Sequence, residues 1–163
     1  MNSRSTDQLD GLLDDIAGLV AASREQLQLR RPSISAWSVA QQLDHVLKVC
    51  SAILKGLLRP GDPPPRGIKF IGRAILFAGW IPRGRGRAPD SVLGTEASSE
   101  ELTAALEETR QLLAAVRRES FRPADEPAVM HPFFGGLTPS QTLRVIVVHT
   151  RHHLKIVREI REG

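Results

Sequence analysis

The sequence predicts an all-α protein, a four-helix bundle with an additional short helix in the connection between its second and third long helices. Three observations carry this. Apolar residues recur at three- and four-residue spacing in four separate long stretches, which gives each helix one face to bury. Each stretch opens on a serine or threonine with a glutamine or glutamate three positions on, the reciprocal pairing that satisfies the free amides of a helix start. No stretch of useful length alternates with the period of two that a half-buried strand requires.

The first helix is expected from Thr6 to about Leu29, with Ser5 and Gln8 as its capping pair and Pro32 beyond its end. Leu9, Leu12, Leu13, Ile16, Leu19, Val20 and Leu27 form its inward face. Ser33 to Trp37 is a short connection. Ser38 and Gln41 open the second helix, which runs to about Leu58 before Pro60 and buries Val39, Leu43, Val46, Leu47, Cys50, Ile53, Leu54 and Leu57. Beside that stripe lies a seam of Gln42, His45, Val49, Ala52 and Gly56, which apart from His45 grows smaller toward the C-terminal end. Gly61 to Pro65, with three consecutive prolines, is a rigid turn or linker.

The segment Arg66 to Arg87 is apolar at Ile68, Phe70, Ile71, Ile75, Leu76, Phe77, Trp80 and Ile81, then alternates arginine with glycine. Its apolar part is too short to span a bilayer. Two readings remain: a lid helix packed on the core, or a membrane-surface helix anchored by Trp80 and the arginines. Arg83, Arg85 and Arg87 either meet an anionic ligand or belong to a solvated loop. Ser98 and Glu101 cap the third long helix, from about Ser99 to Arg118, whose inward face is Leu102, Ala105, Leu106, Thr109, Leu112, Leu113 and Val116. Ser120 to Leu137 is irregular and contains proline; Phe133 and Phe134 are expected to plug one end of the bundle, and the glycines after them to allow a tight turn into the last helix. Thr138 and Gln141 cap that helix, with Pro139 at its first position, where a missing amide is harmless.

At 163 residues, 41% hydrophobic and 25% charged, the chain suits one soluble domain spanning residues 1–163. The formal charge is +4 and the isoelectric point near 10.0. The basic residues are scattered over helix faces that also hold acids, which favours solvated surface over a nucleic-acid groove. A single cysteine, Cys50, excludes an intrachain disulfide and suits a reducing cytoplasm. Its place on an apolar stripe marks a packed thiol rather than a nucleophile. The N-terminal stretch places acids within its apolar pattern, which argues against a signal peptide and stable membrane insertion.

The last helix carries chemistry on its inward face. Ile146, His149, Thr150, His153, Val157 and Ile160 share one stripe, opposite Arg144, Arg151, Lys155, Arg158 and Glu159. Two histidines four residues apart on a buried face either bond to core neighbours or converge on one metal ion. A third ligand decides between them. His152 lies off the stripe, toward the polar edge. His45 reads either as a half-exposed helix residue beside Asp44 or as a ligand facing a neighbouring helix across the small-residue seam.

Together, WSVAQQLDH from Trp37 to His45 and HTRHH from His149 to His153 resemble the DinB-like (YfiT-like) superfamily of metal-binding four-helix bundles. More narrowly, the run from His131 to Leu154 and IPRGRGRAPD from Ile81 to Asp90 resemble an uncharacterised branch of it. The resemblance implies one divalent ion, such as zinc, nickel or iron, held by His45, His149 and His153, with His152 outside the triad. It also implies a hydrolase, or a transferase that moves a group onto a low-molecular-weight thiol. A three-imidazole site leaves positions open for a water, a thiol or a small-molecule substrate. Gln42 and His131 are candidate pocket residues, and His131 a candidate proton shuttle. The competing reading is a non-enzymatic interaction or membrane-surface module with structural histidines. A homodimer is compatible with either.

Overall fold

A computed structural model describes residues 3–59, 62–84, 88–118 and 125–163. It contains α1 (Ser3–Val20), α2 (Arg24–Gln28), α3 (Val39–Leu58), α4 (Phe70–Ala78), α5 (Ser99–Arg118) and α6 (Pro139–Glu162). A 3-10 turn occupies Asp90–Val92, and β1 (Val129–His131) pairs antiparallel with β2 (Gly135–Leu137). Arg85 and Arg87, the Pro60–Gly61 step and the 119–124 part of the irregular loop lie outside the described residues.

The bundle consists of α1, α3, α5 and α6. Arg117 meets Asp7 and Asp10 while Arg110 meets Asp14, so α1 and α5 run antiparallel. Ser38 bonds to Glu96, just ahead of α5, and Ser51 bonds to Thr109, so α3 and α5 run parallel. Gln42 faces His153 and His45 faces His149, so α3 and α6 run antiparallel. The topology is therefore up-down-down-up, and α3 packs between α5 and α6. Leu9, Leu13, Leu43, Leu47, Leu102, Leu143 and Leu154 lie at the centre, buried to 2% exposure or less. Each such side chain contributes about 1.5–3 kcal/mol by leaving water.

The expected first helix is two helices. After Val20 the chain turns, and Ser23 starts α2 by accepting from the Gln26 amide at 3.4 Å. Leu27 reaches the core at 3% exposure while its neighbours in α2 stay in solvent. At the other end α1 begins at Ser3, so Ser5 sits buried inside the helix instead of capping it. The capping boxes at Ser38/Gln41 and Thr138/Gln141 form with both halves in place.

The β-hairpin is a feature that periodicity did not announce, because strands of three residues are too short to alternate visibly. Its glycines do more than shape a turn. Gly135 adopts φ 83°, and a Cβ there would fall on the Gly67 carbonyl, as one on Gly136 would fall on that of Pro65. Glycine therefore lets the strand lie directly against the lead-in to α4, where Lys69 N–H donates to the Phe134 carbonyl at 2.8 Å. Phe134 is buried in a satellite cluster with Ile75, Leu137, Val145 and Val148, but Phe133 is 46% exposed and plugs nothing. The lid reading of α4 holds for one face only: Gly72 and Ile75 are buried, while Phe70, Ile71, Phe77 and Trp80 stand in solvent.

Candidate metal centre

Helix α3 brings His45 to the face of α6 that carries His149 and His153, one turn apart. One ring nitrogen from each of the three lies within 4.8 Å of the others. His45 Nε2 and His149 Nε2 are 3.2 Å apart. Metal–nitrogen bonds of about 2.0–2.1 Å at tetrahedral angles place donor nitrogens about 3.3 Å apart, a spacing that the His45–His149 pair already has.

Hydrogen bonds fix which nitrogens are bare. His45 Nδ1 lies 2.6 Å from the Val92 carbonyl and His153 Nδ1 lies 2.6 Å from the Gln42 side-chain oxygen. Both partners only accept, so each Nδ1 donates its proton and each neutral ring presents an unprotonated Nε2 inward. Gln42 is itself oriented by donating from Nε2 to Ser35 Oγ at 2.9 Å. Two bare nitrogens cannot face each other at 3.2 Å without a proton or a cation between them. In the metal-free chain the proton is that of His149 Nε2, which leaves His149 Nδ1 buried with no hydrogen-bond partner. The donor set fits a divalent ion that replaces the shared proton, with the His149 ring proton then carried on Nδ1.

Burial holds all three rings neutral. Desolvation is the largest cause in each case; it lowers His45, pushes His149 down to about 3, assisted by the neighbouring imidazoles, and lowers His153 strongly. Competition from protons therefore begins below the ordinary imidazole range. The consequence for stability has a definite sign. Unfolded histidines protonate near 6.5 and buried His149 does not, so stability is retained above about 6.5 and lost as pH falls toward its folded value. In chelator-treated protein His149 contributes a slope of about 1.4 kcal/mol per pH unit across that window. Urea unfolding of wild type and His149→Gln between pH 7 and 4 measures it; equal slopes would contradict the assignment.

Sequence reasoning missed the support for His45. Asp44, 6% exposed, accepts from the Thr95 amide at 2.7 Å, from Thr95 Oγ1 at 2.9 Å and from Lys48 at 2.6 Å. These bonds hold the strap from Val92 to Thr95 against α3 and so deliver the Val92 carbonyl to His45. Gly94 makes this possible, since a Cβ there would fall on the Gln41 carbonyl oxygen. A backbone acceptor and a Cβ-free approach leave no residue-type signature. Trp37 packs edge-on to His45 at 5.0 Å and parallel to His153 at 6.5 Å, walling one side.

The remaining candidates fall outside the cluster. His152 meets His153 edge-on at 5.1 Å and is lowered by burial and then by Arg83. His131 stacks on Phe134 at 4.2 Å, and burial lowers it to about 4. Cys50 is fully buried beside Thr150, and desolvation raises its thiol to about 11, so it stays protonated at neutral pH. Arg83 is paired with Glu159 at 2.8 Å.

The sequence model of the DinB superfamily matches residues 3–157, which include all three clustered histidines. The chain belongs to the DinB superfamily. It is also 30% identical over 152 residues to "Uncharacterized protein YuaE" of Bacillus subtilis (strain 168), an alignment covering 88% of each chain. No solved structure matches it. Within this DinB-superfamily chain the helical scaffold and the histidine cluster are thus described together, and among the described residues no helix is long and apolar enough to cross a membrane.

Proposed function

We propose that the chain holds one divalent ion through His45, His149 and His153 and works as a metal-dependent hydrolase or as a transferase onto a low-molecular-weight thiol, in the reducing cytoplasm that its lone buried cysteine suits. The observation that supports it most is the convergence of three neutral imidazoles, two of them locked by backbone and amide acceptors into the tautomer a metal needs. When bound, the ion supplies Lewis acidity, which lowers the pKa of a water or thiol at its open positions.

The chain's own groups do the rest. All three donors are uncharged, so the protein leaves the ion's positive charge uncompensated and favours an anionic fourth partner, as a thiolate or hydroxide is. Gln42 and the Val92 carbonyl hold the rings in register. Trp37 covers one flank and excludes water there. His131, neutral at physiological pH, is available on the hairpin to carry a proton for a substrate that reaches it.

The test is elemental analysis of untagged protein after equilibration with zinc, nickel or iron(II) and removal of free ion. About one ion per chain is expected for at least one of them. Less than about a tenth of an ion per chain with all three would overturn the reading.

A further inference from the structure

We propose that α4 is a peripheral membrane anchor whose exposed aromatic face enters the headgroup region of an anionic lipid bilayer. Among the described residues, the large hydrophobic side chains that stand in solvent are Phe70, Ile71, Phe77, Trp80, Met130 and Phe133. All of them lie on α4, directly after it, or on the hairpin bonded to its lead-in. Phe70 and Phe77 are seven positions apart and share one face, opposite buried Gly72 and Ile75, and they are 86% and 92% exposed. Side chains that bare protrude.

Charge selects the occupant. From Asp62 to Asp90 the sequence has no intervening acid, while Arg66, Lys69 and Arg73 accompany the aromatics. Phenylalanine and tryptophan on one face, with basic side chains around them, partition into the boundary between headgroups and acyl chains of an anionic bilayer. A second copy of the chain is a poor partner for this face. Twofold pairing would oppose Arg66, Lys69 and Arg73 to their own copies with no acid in the segment to answer them. The helix has nine residues, so it lies in the interface without crossing it. Docking needs no unfolding, because α4 stays fixed to α6 where Arg144 Nε donates to the Leu76 carbonyl at 2.9 Å.

Co-sedimentation of the full chain with vesicles of equimolar phosphatidylglycerol and phosphatidylcholine tests this, with phosphatidylcholine vesicles as the reference. Capture by the anionic vesicles is expected, and about 100-fold weaker capture by the neutral ones, each of three basic side chains adding about a factor of five. A Phe70→Ser/Phe77→Ser variant is expected to lose capture while keeping its thermal midpoint, since both rings already stand in water. No capture of the wild type, equal capture by both vesicle types, or capture that survives the double substitution each overturns the proposal. A dimer in light scattering that the double variant dissociates, without vesicle capture, overturns it in favour of self-association. Chelator is present throughout, so the result does not depend on the histidine site.

Discussion

His153→Ala is expected to lower the bound divalent ion from about one per chain to near zero. A structural zinc site with four ligands binds with about 10–16 kcal/mol. Shared evenly, that is about 2.5–4 kcal/mol for each ligand, so deleting one of three imidazoles weakens binding by about 10²- to 10³-fold. The substitution also frees the Gln42 oxygen that now accepts from His153 Nδ1. His152→Ala is the control, because His152 adjoins the cluster yet contributes no nitrogen to it. Elemental analysis of both proteins, with circular dichroism to show that each is folded, decides the matter. An unchanged metal content in the first variant, or its loss in the second, would remove the assignment of the ligands.

Gly94→Ala is expected to destabilise the protein by about 3 kcal/mol, which for a chain of this size lowers the thermal midpoint by roughly 6–12 °C. The added methyl meets a main-chain carbonyl, that of Gln41, which cannot swing aside as a side chain would. The strap must retreat, and Asp44 then loses the Thr95 amide and hydroxyl while remaining buried. The same retreat draws the Val92 carbonyl away from His45, so metal affinity falls along with stability. Gly18→Ala is the matched comparison. It makes the same chemical change in the last turn of α1, where a Cβ meets nothing within 4 Å, and is expected to stabilise by about 0.5 kcal/mol. Differential scanning calorimetry of the two variants should give midpoints displaced in opposite directions; two shifts of the same sign would contradict the packing described for the strap.

The long helices were legible because their starts are chemical and their faces periodic. Ser38 with Gln41, Ser98 with Glu101 and Thr138 with Gln141 exchange the hydrogen bonds that their spacing predicts. The shared face of His149 and His153 followed from the same periodicity. Ser5 with Gln8 has the identical pattern and caps nothing, since α1 begins two residues earlier and takes Ser5 into its buried side. The break after Val20 was hidden because Ala21 and Ala22 are good helix formers and Leu27 keeps the helical spacing across it. The supporting shell of His45 was illegible for a different reason. Its partner is a carbonyl on a strap 47 residues away, delivered by a glycine contact with another backbone, and no side-chain pattern encodes either.

His45 and His149 come from the second and the last bundle helices, 104 residues apart. An ion clasped between them would be a crosslink as much as a reagent, stabilising the folded chain because the denatured one offers no such converged site. The clasp cannot close during synthesis until the final helix has been made. Once closed, it must be released before α6 can peel away from α3, which gives the loaded protein a slower death than the bare one.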